Sequence, residues 1–153
     1  MAKLIIAIGI ASAIAAQSSR PTHESDLLWN AITWQESTHN PTARGDYRGV
    51  SPNRKPTAFG IAQIRQAYLD DANHWLSQHK LATYSMADMD DPTKARAVFN
   101  AYMSRYAKGG SAEQIARRHN GGPTGDRKQS TVKYWEKVKS HMANKPWENQ
   151  NHD

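Results

Sequence analysis

Glu36 is the residue of this 153-residue sequence best placed to do chemistry. Leu28, Ile32 and Glu36 recur at four-residue intervals and so share one helical face. A carboxyl group at the end of an apolar stripe, facing a glycine-containing segment, is partly desolvated. Desolvation disfavours the charged form and raises the pKa. A carboxylic acid that stays protonated near neutral pH can give its proton to a leaving oxygen. Periodicity alone favours the plainer alternative, a Glu that closes a helix and reaches back to water. A mechanism with two carboxylates would need Asp46, the one nearby candidate, yet an Asp after Gly45 reads first as a turn former.

Other chemistries lack their residues. The chain has no cysteine, which removes disulfides, thiolate metal sites and cysteine nucleophiles. Of its seven histidines, His74 and His79 stand five apart, not the four that would put a metal-binding pair on one helix face. They read as surface residues, and no metal or other cofactor is expected. The stretch Gly121-Gly122-Pro123-Thr124-Gly125 lacks phosphate-loop spacing and follows no strand.

The elements that must position Glu36 read as helices joined by polar loops, an all-α domain. A first helix is expected over about 25–37. A long irregular stretch follows, Thr38 to Ala58, punctuated by Pro41, Gly45, Gly49, Pro52 and Pro56; at that length it is a functional loop or holds a small hairpin. After the apolar run Phe59 to Ile64 a helix extends to about His79. Asp91-Pro92 is an N-cap with proline in the first turn. Behind it Val98, Phe99, Tyr102, Met103 and Tyr106 form a stripe. Ser111 and Gln114 make a capping box for a short helix through His119, stopped by Asn120-Gly121-Gly122-Pro123. The last helix, about 130–142, carries Val132, Trp135, Val138 and Met142 on one face. Residues 144–153 are polar and expected to be loose.

The N-terminus reads as an address. Lys3 precedes the uncharged run Leu4 to Ala16, and Ala13-Ile14-Ala15 resembles a cleavage site. Thirteen residues are too few to span a membrane, which takes roughly 20. A signal peptide over 1–15, a weak membrane anchor with transient association through residues 4–16, and an ordinary first helix all fit. The export reading puts the protein in the periplasm or outside the cell, and a virion-associated place also fits.

The net charge of +6 is uneven: residues 77–153 carry 13 basic and 8 acidic side chains. That excess suits an anionic partner, whether nucleic acid, a membrane surface or a polyanionic wall. A nucleic-acid binder could use Tyr134 and Trp135 as stacking platforms. However, Trp135 lies on the apolar stripe and the basic residues alternate with acids, so no nucleic-acid partner is expected. Nothing in the sequence calls for more than a monomer.

Four segments in order resemble the motifs of the soluble lytic transglycosylase domain, related to goose-type lysozyme. Gln35-Glu36-Ser37-x-x-Asn40-Pro41-x-Ala43 is similar to the family's Glu-Ser motif. Gly60-Ile61-Ala62-Gln63-Ile64 is similar to its Gly-Leu-Met-Gln-Ile. Ala116-Arg117-Arg118-His119-Asn120-Gly121-Gly122 is similar to its Ala-x-x-x-Tyr-Asn-x-Gly, and Tyr134-Trp135-x-x-Val138 to its closing Tyr-x-x-x-Val helix. The likeness covers about residues 23–142, within a domain drawn over 16–143.

The resemblance implies a lysozyme-like helical fold and a peptidoglycan glycan strand as substrate. Glu36 would be the catalytic acid, protonating the bond between N-acetylmuramic acid and N-acetylglucosamine. As a carboxylate it would then take a proton from the muramic acid C6 hydroxyl, which closes a 1,6-anhydro ring. The alternative on the same fold is a muramidase that uses water, and a wall-binding module without catalysis would have lost Glu36. Ser37, Gly60, Gln63, Ile64, His119, Asn120 and Tyr134 are implied as the residues that support Glu36 or line the sugar cleft. Two departures stand out: His119 replaces an aromatic residue, usually Tyr, and Ala62 replaces a larger Met. The loop between the first two motifs adds Arg44, Arg48, Arg54 and Lys55, either a contact for an anionic polymer or a solvated insertion.

Overall fold

The computed structural model describes residues 23–47 and 55–152. The export segment, Arg48 and Arg54 lie outside them. Helix α1 is His23–Ser37, α2 Gln66–Gln78, α3 Pro92–Tyr106, α4 Ala112–Gly121 and α5 Val132–Asn144, with short 3-10 turns between them. The long loop resolves into a hairpin: β1, Arg44–Gly45, pairs antiparallel with β2, Ala58–Phe59. The fold is therefore the expected mainly α one, with a small hairpin after α1. Among the described residues no helix is long and apolar enough to cross a membrane.

Local chemistry sets the helix boundaries. Asp91 caps α3 by accepting from the N–H groups of Thr93 and Lys94, with Pro92 at the first position, where its missing N–H costs nothing. Ser111 and Gln114 exchange both bonds of the capping box at the start of α4. That helix runs through Gly121, and Gly122, at φ +82°, ends it. The helix α1 stops differently. Thr38 and His39 adopt left-handed conformations, and their N–H groups bond back to the Trp34 and Thr33 carbonyls. Such geometry is strained for a β-branched residue, and it lies directly after Glu36 and Ser37.

The helices close on one core. Helix α2 packs along α3 and α1 along α5. Ile32, fully buried at the centre of α1, contributes about 2 kcal/mol through its burial. Thr33 is equally buried and satisfies its hydroxyl on the Trp29 carbonyl at 2.9 Å. Residues Pro146–His152 form a 3-10 helix, and the Trp147 ring packs on Trp34 and His39 of α1 and its exit.

Candidate active site

The last turn of α1 brings Glu36 against three other parts of the chain. The Tyr134 hydroxyl, from α5, donates to Glu36 Oε1 at 2.7 Å. His119 Nε2, from α4, lies 3.6 Å from the same oxygen. Arg65, just before α2, acts on it through its charge. The Glu36 side chain is 18% exposed. Burial pushes its pKa up from 4.5 to about 7; the Tyr134 bond and the Arg65 charge oppose this without cancelling it. At neutral pH the group is thus divided between acid and carboxylate. Both close contacts fall on Oε1.

The floor of the site is the turn Gly60–Gln63. Gly60 needs to be glycine twice over: its φ is +73°, and an added Cβ would overlap the Met89 carbonyl oxygen. Its N–H donates to Ala43. The Ser37 hydroxyl donates to the Ile61 carbonyl at 2.8 Å and so ties the end of α1 to this turn; it does not bond to Glu36. Gln63, also left-handed at φ +48°, donates its amide to the Gly60 carbonyl and sets its oxygen against the Cα of Gly45 in the hairpin. Asp46 follows Gly45 with φ +49° and forms an ion pair with Arg65. The sequence Glu36, Arg65, Asp46 is then a line of charge, with the arginine as the shared neighbour.

Two expected cleft residues are interior. Ile64 is 1% exposed and both its N–H and C=O are spent on Phe59, so it offers a sugar nothing. His119 is 4% exposed at the side chain and lies among Tyr68, Phe99 and Glu36. Its Nε2 bonds to the Ala62 carbonyl at 3.1 Å and its Nδ1 to the Tyr68 hydroxyl at 3.3 Å. Asn120, by contrast, is exposed on the last turn of α4. The resemblance places Tyr134 beside Glu36, and the structure adds the direct bond. Arg65 and Tyr68 escaped the sequence reading. In sequence Arg65 is one more basic residue before a helix, and Tyr68, five residues past Gln63, lies outside the apolar stripes.

The aromatic residues of a nucleic-acid platform are turned inward. Trp135 packs against the core, and the Tyr134 hydroxyl is committed to Glu36. Arg44 makes a bidentate pair with Asp90, 2.7 Å on each arm, over the Phe59 ring.

The model of the Transglycosylase SLT domain matches residues 12–142, most of the chain. The chain belongs to that family. Among characterised relatives of this SLT domain protein, a lysozyme of Magallana gigas is 41% identical over 89 residues, 56% of this chain and 61% of the relative. A lysozyme of Ostrea edulis is 36% identical over 96 residues, 60% of this chain and 66% of the relative. The chain thus spans less than two thirds of the length of these relatives. Among solved structures, Meretrix lusoria lysozyme, in complex with Aeromonas hydrophila PliI, superposes with a TM-score of 0.58 at 27% identity. That match covers 76% of this chain and 88% of the other.

Proposed function

We propose that this protein cleaves the β-1,4 bond between N-acetylmuramic acid and N-acetylglucosamine in peptidoglycan, with Glu36 as general acid. The observation that carries the reading is the buried Glu36 carboxyl, held near pKa 7 by desolvation and oriented through Oε1 by the Tyr134 hydroxyl. Tyr134 leaves Oε2 to carry the transferable proton. That proton passes to the glycosidic oxygen, the C1–O bond breaks, and positive charge develops on the muramic sugar. Glu36, now a carboxylate, takes a proton from the incoming nucleophile and is restored. Gln63 and Asn120 hold the strand in the cleft, and the turn at Gly60 lets the backbone come close.

The nucleophile in this reading is water, which makes the protein a muramidase. Asp46, paired with Arg65, is the candidate second carboxylate of such a mechanism. The lysozyme names of the relatives point the same way. The second reading is transglycosylation, favoured by the family match and by the ion pair that neutralises Asp46 and leaves one buried carboxyl. There the muramic C6 hydroxyl attacks C1 and closes the 1,6-anhydro ring. In either case the segment 1–15 would deliver the enzyme to the wall.

Digestion of purified peptidoglycan followed by mass spectrometry tests both levels. Glu36→Gln, nearly isosteric but unable to give or retake the proton, lowers turnover by orders of magnitude and stays folded. Wild type yields reducing muramic ends, and Asp46→Asn loses most activity. Retained turnover in Glu36→Gln defeats the acid assignment. Anhydro ends with an active Asp46→Asn defeat the water reading alone.

A further inference from the structure

The hydrogen bonds of His119 fix both its tautomer and its charge. The Ala62 carbonyl can only accept, so the 3.1 Å contact requires a proton on Nε2. Nδ1 then holds a lone pair, and the Tyr68 hydroxyl donates to it. Tyr68 is locked in turn, stacked on Tyr102 with ring centres 3.7 Å apart. Burial keeps the ring neutral, pushing its pKa down from 6.5 to about 4. The 3.6 Å approach to Glu36 is therefore not an ion pair, and it is too long for a hydrogen bond in this state.

We propose that His119 is an uncharged positioning residue for Glu36, its Nε2–H held by the Ala62 carbonyl at rest and tightening onto Glu36 Oε1 when Glu36 releases its proton and becomes a carboxylate. The proposal rests on reading Glu36 as the acid. A charged imidazolium at this place would hold Glu36 ionised at neutral pH and remove the acid before it could act. A ring with no N–H would leave the new anion only the Tyr134 hydroxyl. The neutral Nε2–H ring avoids both outcomes: it imposes no charge on the resting acid and offers a second donor once charge appears. Catalytic hydrogen bonds commonly shorten only as the reaction proceeds.

The other groups around the pair are consistent with this division of labour. From α5 comes Tyr134, from α2 Tyr68, both hydroxyls pushed well above their ordinary pKa by burial. From α3 comes the apolar Phe99 ring, 5.5 Å from the imidazole. Arg65 contributes the positive charge, which lowers the pKa of both Glu36 and His119. Arg65 thus helps to keep His119 neutral, while the ion pair with Asp46 tempers its pull on Glu36.

NMR and kinetics of the full chain test the proposal together. In wild type the 15N spectrum shows a neutral Nε2–H ring between about pH 5 and 8. Its N–H proton shifts as Glu36 ionises, with a midpoint near 7. In His119→Phe the midpoint of the Glu36 carboxyl carbon and the alkaline limb of kcat/KM rise together by about half a pH unit or more. There kcat falls about tenfold with KM little changed. His119→Gln, which restores an N–H, recovers most of both. A Glu36 midpoint that ignores His119→Phe overturns the proposal, as does an imidazolium or an Nδ1–H ring in wild type. Should the Phe variant fail to fold, the wild-type N–H signal decides: one indifferent to Glu36 overturns it. Failure of the acid reading looks different, since Glu36→Gln would then remain active whatever the tautomer of His119.

Discussion

Two carboxylates of similar exposure have moved in opposite directions. Glu36 is 18% exposed at the end of α1, and Asp126 is 12% exposed in the turn after α4. Asp126 receives both arms of Arg118, at 2.9 and 2.8 Å, and this bidentate partner holds its pKa below the usual carboxylate range. Glu36 receives a neutral phenol and faces a neutral imidazole, and its pKa rises to about 7. Side-chain exposure alone does not separate them: burial is the larger influence at Glu36, and the contacting guanidinium is the larger at Asp126. A guanidinium in contact outweighs desolvation, whereas Arg65, whose fork is committed to Asp46, does not. One region uses its acid to fasten the corner beneath α4, the other keeps its acid available.

The contrast can be broken most severely at Tyr134. Tyr134→Phe removes the donor to Oε1, so the Glu36 pKa rises further and the carboxylate loses its orientation. We expect kcat/KM to fall roughly tenfold to a hundredfold, with the alkaline limb of the pH profile moving up. An unchanged limb in a rate–pH series would show that the phenol does not act on the acid.

The next effect is thermodynamic. A carboxyl whose folded pKa exceeds its unfolded value lends stability that is complete below about 4.5 and is lost as pH rises through about 7. Wild type should therefore weaken across that window relative to Glu36→Gln. The gap between their unfolding free energies should change by at most about 3 kcal/mol between pH 4 and pH 8, as read by denaturant titration at each pH. A constant gap would place Glu36 in water.

A smaller change is expected on the fastening side. Arg118→Met strands Asp126 and should lower the thermal midpoint while activity per folded molecule holds, since neither residue touches Glu36. Loss of specific activity without loss of stability would merge the two regions that the comparison separates. The smallest effect belongs to Gly45→Ala. Its new Cβ meets the Gln63 amide and displaces it from the Gly60 carbonyl, so stability should fall by only about 1 kcal/mol while KM for the glycan rises a few-fold.

Much of this was readable in the chain because it depends on short spacings. The Leu28–Ile32–Glu36 stripe, the Asp91-Pro92 start of α3 and the Ser111–Gln114 box all depend on neighbours within one helical turn. The hairpin was open between two readings because strands of two residues leave no alternation to see. The inward turn of His119 was illegible for a different reason. Its partners, Ala62 and Tyr68, are more than fifty residues distant, and nothing in Arg118-His119-Asn120 distinguishes a buried ring from a surface one. Ile64 was misplaced because a motif names residues without saying which point inward. Trp147 docks where a count of polar residues suggests only a loose end.

The Ser37 hydroxyl carries a consequence for how the proposed site would fail. It links the final turn of α1, which carries Glu36, to the Ile61 carbonyl, so the carboxyl and the turn beneath it are tied together. Displacing that turn would break this bond and shift the support of Glu36, so the proposed activity could be lost while the rest of the bundle stays assembled.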